Sequence, residues 1–75
     1  MLELTSLWQI QTRYYRISLI QDLFGVWMLV RQWGGLVGKH FREITNSFSD
    51  YNSALLEYSN AQKRRKGRGY TKIKI

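Results

Sequence analysis

The sequence predicts an α+β fold: a small antiparallel β-sheet of three to four strands with one C-terminal helix packed on one face. Three observations carry this reading. Aromatic and β-branched residues alternate through the first half of the chain, as at Tyr15, Ile17 and Leu19, and period two marks a half-buried strand. After Ser49 the apolar residues recur at three- and four-residue steps instead, the period of an amphipathic helix. Glycines punctuate the strand-like part at Gly25 and at Gly34, Gly35 and Gly38, where a reversal is needed between antiparallel strands. At 75 residues the chain makes one domain, and a domain of this size buries only about 60 % of its unfolded surface.

The first strand is expected over Trp8 to Gln21, with Tyr15, Ile17 and Leu19 on one face and Arg16 and Ser18 on the other. Asp22-Leu-Phe-Gly25 then reads as a turn, because glycine accepts the positive φ that turns require. Val26 to Trp33 follows as a second strand, and two strands joined by a short turn form a hairpin. Trp27 is read as core, or as packing on its face of the strand. Gly34-Gly-Leu-Val-Gly38 is a tight reversal, and Lys39 to Phe48 a third, weaker strand. Ser49 is the expected N-cap of the helix, with Asp50 suiting the positive end of its dipole. Tyr51, Ala54, Leu55, Tyr58, Ala61 and Gln62 form its apolar stripe, so Tyr51 and Tyr58 are read as core. The helix is expected to run to about Lys66 and stop at Gly67, a suitable residue to follow a helix end. The domain proper is placed at 13–70. Residues 1–12 are an N-terminal extension or the start of the first strand, and 71–75 a basic tail or short closing strand.

The net charge of +7 comes from twelve basic and five acidic residues. Residues 1–62 are balanced: Arg13, Arg16, Arg31, Lys39 and Arg42 face Glu3, Asp22, Glu43, Asp50 and Glu57. The excess lies in Lys63, Arg64, Arg65, Lys66, Arg68, Lys72 and Lys74, with no acid among them. Base concentrated in this way is an electrostatic footprint for a polyanion.

Other chemistries find little to work with. The chain has no cysteine and one histidine, His40, so a metal site lacks ligands and no cofactor is expected. The five acids are scattered, and neither a phosphate-binding loop nor a nucleophile elbow is present. No small-molecule substrate is expected, and the chain is read as non-enzymatic. The N-terminus lacks the basic and apolar regions of a signal peptide, and the apolar run Leu23 to Val30 is far short of the roughly 20 residues that span a bilayer. A soluble, cytoplasmic protein without membrane contact is expected.

Val30-Arg-Gln-Trp-Gly-Gly-Leu-Val-Gly38 resembles the Trp-Gly-Arg signature of the WGR domain. The Tyr-rich segment Arg13 to Leu19, then Asp22-Leu-Phe-Gly25 and Trp27 to Arg31, looks like the approach to that signature. Phe48-Ser49, followed by a helix ending in Lys-Arg-Arg-Lys-Gly-Arg-Gly-Tyr70, looks like its close. The resemblance spans roughly Arg13 to Tyr70. It implies a small antiparallel sheet with a helix packed across it. In poly(ADP-ribose) polymerases a similar domain contacts DNA near a strand break; its signature Trp packs against the nucleic acid and its Arg supports that contact. By resemblance Trp33 takes the first role. Gly35 stands in place of the Arg and Val37 is inserted before Gly38, so the cation nearest the signature is missing. Arg31, on the face of Trp33, is the available substitute.

The expected function is therefore nucleic-acid binding, mainly through the backbone. Lys63, Arg64, Arg65, Lys66 and Arg68 are the expected phosphate contacts, and Arg31, Trp33, Lys39 and Arg42 a second contact area. The rival expectation is a protein-interaction adaptor within a larger assembly, with a homodimer through the sheet compatible with either.

Overall fold

In a computed structural model, which describes residues 3–38 and 40–74, the chain folds as β1 (Glu3–Ile10), β2 (Arg13–Gln21), β3 (Trp27–Gly35), β4 (Phe41–Phe48), α1 (Tyr51–Gly67) and β5 (Thr71–Lys74). The strands form one antiparallel sheet in the order β4-β3-β2-β1-β5. The α+β class stands, but the sheet has five strands where three to four were expected.

The extra strand comes from a turn that carries no turn residue. The segment Trp8 to Gln21, read as one strand, is a hairpin: Ile10 pairs with Arg13, and the chain reverses at Gln11 and Thr12. Such two-residue loops usually use Asn or Gly because they need positive φ. Here Gln11 adopts φ 50, an uncommon state for a residue with a large side chain. The turn between β2 and β3 falls where expected. Asp22 Oδ1 accepts from the backbone N–H of Phe24 at 2.8 Å and of Val26 at 2.9 Å, and Gly25 takes φ 83.

Both helix ends are displaced from their expected positions. The N-cap is Asp50 rather than Ser49: its carboxylate accepts from Ser53 N–H at 3.1 Å and from Ser53 Oγ at 2.8 Å. These bonds from Ser53 favour the charged carboxylate and hold its pKa below the ordinary value. At the other end Gly67 stays helical, and positive φ falls at Gly69 (φ 92). Gly69 N–H bonds the carbonyl of Lys66 at 3.1 Å, and Tyr70 N–H that of Arg65 at 3.0 Å. That double closure is the Schellman motif, which satisfies carbonyls the helix leaves free. It also turns the chain back to run as β5 beside β1.

The core lies between α1 and one sheet face. Trp8, Tyr15, Ile17, Leu19 and Leu29 meet Ala54, Tyr58 and Ala61 there. The two alanines let the helix approach the sheet closely, and Tyr58 fills the space between them. Full burial of a side chain such as Leu29 contributes about 1.5–3 kcal/mol. The helix crosses the sheet diagonally. Near its start Tyr51 packs on Trp27, ring centroids 4.7 Å apart; near its end Arg65 lies over Tyr15. Trp27 is thus half-buried and packs against the core rather than within it, and among the described residues no helix is long and apolar enough to cross a membrane.

Candidate nucleic-acid interface

The diagonal crossing leaves one corner of the helix-side face uncovered, where β3 and β4 pass beyond the helix end. Strand register decides what lies in it. Trp33 stands between Tyr15 on β2 and Arg42 on β4, and Arg31 between Ile17 and Ile44. Residues paired across antiparallel strands share a face, so Arg31, Trp33, Arg42 and Ile44 all point toward the helix side.

The helix end supplies a wall for this corner. Arg65 follows Ala61 by four residues and so continues the sheet-facing stripe. Its guanidinium carbon lies 4.0 Å from the Tyr15 ring centroid and 5.5 Å from that of Tyr70, within the range of a cation–π contact. The Schellman turn is what brings Tyr70 back to Arg65. Tyr15 in turn stacks with Trp33, centroids 6.3 Å apart and planes inclined by 23°. Trp33 is half-buried: one side packs on the core, and the rest faces the groove.

Together these elements enclose a groove of about 890 Å³. Its cations are Arg13, Arg31, Arg65 and Arg68, its aromatic surface is Tyr15, Trp33 and Tyr70, and among the described residues no acidic one lines it. Arginine stays protonated at any ordinary pH and presents a planar fork of donors suited to phosphate. Arg31 Nη2 donates to Asn46 Oδ1 at 2.6 Å, while the buried Nε–H groups of Arg31 and Arg65 have no hydrogen-bond partner among the described residues. The groove is thus a concentration of positive charge beside flat aromatic surface. Arg42 lies alongside, with Trp33 and His40, on a smaller recess of about 400 Å³.

The structure gathers Arg31, Trp33, Arg65 and Arg68 of the expected residues into this groove and puts Arg42 at its flank. Lys63, Arg64 and Lys66 are exposed on the helix and do not line it. Arg64 donates instead to Glu57 at 2.7 Å. Lys39 falls outside the described residues. Three groove residues, Arg13, Tyr15 and Tyr70, are absent from the sequence-based site. Arg13 pairs with Gly35, a relation that follows from counting outward from the Asp22–Gly25 turn. Tyr70 becomes legible once Gly69 rather than Gly67 is taken as the residue that ends the helix.

The signature glycine has a steric reason. A Cβ on Gly34 would lie 2.8 Å from the His40 carbonyl oxygen and 3.2 Å from Phe41 Cα, so only glycine lets the returning chain pass this close. Among the described residues no group of three or more His, Asp or Glu side chains comes together to hold a metal.

Neither a curated protein nor a solved structure matches the chain. The WGR domain model matches it over residues 1–75. With the Trp33-Gly34 signature set on a five-stranded sheet crossed by one helix, the chain belongs to the WGR domain family.

Proposed function

We propose that this WGR domain binds nucleic acid through its backbone and that the arginine-lined groove is the contact site. The observation that carries the reading is the groove's composition: four arginines and, among the described residues, no acid beside the Trp33 ring. WGR domains are small binding modules associated with nucleic acid, which accords with it. Arg13, Arg31, Arg65 and Arg68 engage phosphates, releasing counterions and making affinity fall with salt. Trp33 offers a stacking surface for a sugar or base, which tolerates any sequence. Arg13 stands directly across from Gly35, and so restores a cation beside the position where the family signature carries Arg. Lys63, Lys66 and Arg42 strengthen the field around the groove, with Arg64 partly committed to Glu57. Phosphate contacts position a ligand without reading sequence, so sequence preference is expected to be weak.

The test is a fluorescence anisotropy titration against short duplex DNA, single-stranded DNA and duplex RNA at two salt concentrations. The expected result is binding that weakens with salt and loses at least tenfold in Trp33→Ala, or about 1.4 kcal/mol. A folded protein that binds none of the three at low salt overturns the proposal.

A second reading, a protein-interaction adaptor, rests on the opposite end of the hairpin. Leu23 and Phe24 are 89% and 91% exposed on a turn held rigid by Asp22. Loss of nucleic-acid binding in Trp33→Ala but not in Phe24→Ser would keep the two surfaces distinct and the groove as the nucleic-acid site.

A further inference from the structure

The sheet ends in β4 on one side and β5 on the other, and the two edges are built differently. β5 has four residues and carries Lys72 and Lys74; a short, lysine-bearing strand is a common way of keeping an edge from pairing. β4 has eight residues, Phe41–Phe48, with neither proline nor lysine. It pairs with β3 in unbroken register, which keeps it extended along its length, and as the outer strand it presents a row of backbone N–H and C=O groups outward. Every residue from Phe41 to Ser47 is exposed, including Phe41 at 56% and Ile44 at 47%. An edge of this kind is a template for another strand.

We propose that β4 pairs antiparallel with β4 of a second copy of this chain, about a two-fold axis at Ile44, joining the two sheets into one. The strand is complementary to itself in this register. Residues opposed across the axis must share a sheet face, so the axis falls on a residue. An axis at Arg42 or Glu43 would set like charges against each other, at a cost. An axis at Ile44 sets Ile44 against its copy, Arg42 against Asn46 and Glu43 against Thr45, with no like charges opposed. An axis at Thr45 avoids the charges too but gives up the apolar pair. The two-fold axis keeps both helices on one side of the joined sheet. It therefore lays Arg31, Trp33 and Arg42 of both copies along one continuous surface. The pairing itself does not depend on the nucleic-acid reading.

The chain has no cysteine, so one introduced thiol reports the register. Residues directly opposed in an antiparallel pair have Cα atoms about 4.5–5.5 Å apart, within the range a disulfide spans. Under mild oxidation without nucleic acid, Ile44→Cys is expected to form a covalent dimer rapidly, and Leu56→Cys, on an exposed part of the helix, is not. Sedimentation equilibrium of the unmodified chain should show a concentration-dependent dimer that Ile44→Lys abolishes while the circular dichroism spectrum is unchanged. A chain that stays monomeric, with Ile44→Cys cross-linking no faster than Leu56→Cys, overturns the proposal and leaves the edge to an extended segment of another protein. A dimer that survives both Ile44→Lys and Thr45→Pro overturns the placement at β4.

Discussion

The phenol of Tyr58 is buried in the core, and its oxygen lies 2.7 Å from Ser6 Oγ, the one buried polar side chain among the described residues. Each group satisfies the other, and removing one strands its partner. Tyr58→Phe therefore leaves the Ser6 hydroxyl buried without a bond, a loss of about 1–3 kcal/mol. The same pair sets an alkaline limit. Burial pushes the Tyr58 pKa above its ordinary 10.0, with the Ser6 hydrogen bond pulling weakly the other way. A pKa raised in the folded state means stability that is complete below the unfolded value and lost as pH rises through it toward the folded one. The stability gap between the native chain and Tyr58→Phe should thus be constant near neutrality and narrow above about pH 10. Urea unfolding across that range measures it, and a gap that stays constant into alkali would show that burial does not control this phenol.

At the scale of elements, the helix end does more than stop a helix. The Schellman turn at Gly69 returns Tyr70 to Arg65, and Arg65 to Tyr15, so one backbone conformation both starts β5 and builds a wall of the groove. A side chain at Gly69 meets the left-handed penalty of roughly 1–2 kcal/mol, and its Cβ would also lie 3.4 Å from Ile10 Cδ1. Gly69→Ala should lower thermal stability by that order and weaken nucleic-acid binding, whereas Gly67→Ala, whose Cβ meets nothing within 4 Å, should do neither. Thermal unfolding and anisotropy on the two variants decide it; equal effects would mean the turn does not shape the groove. These elements also show what local sequence reveals. The Asp22–Gly25 turn was legible because Asp and Gly each have a local role there, and the helix because its period changes at Ser49. The Gln11–Thr12 turn was not, since pairing of β1 with both β2 and β5 holds it in place and no local preference announces it. The helix end was misplaced by two residues because Gly67 and Gly69 are equally suitable by composition; the hydrogen bonds of the finished turn distinguish them.

At the scale of the whole molecule, charge along the chain and charge in space tell different stories. Along the chain the surplus lies after Gln62; in space the groove combines Arg65 and Arg68 from that segment with Arg13 and Arg31 from the balanced part. Trp33, Arg31 and the tail were legible singly, but their meeting with Arg13 depends on strand register and on the diagonal of the helix, which composition does not encode. This separates a shaped site from a diffuse field by experiment. Arg13→Gln/Arg68→Gln and Lys63→Gln/Lys66→Gln each remove two positive charges, all four from exposed side chains, so both pairs should leave the fold intact. If phosphates sit in the groove, the arginine pair should lower the slope of log affinity against log salt by about two units, one for each phosphate-binding cation removed. The lysine pair should leave that slope nearly unchanged and reduce mainly the association rate, because long-range field steers encounter more than it holds a complex. Stopped-flow and equilibrium anisotropy on the two variants would separate these effects. Equal losses from the two pairs would mean that total charge, rather than the architecture of the groove, holds the nucleic acid.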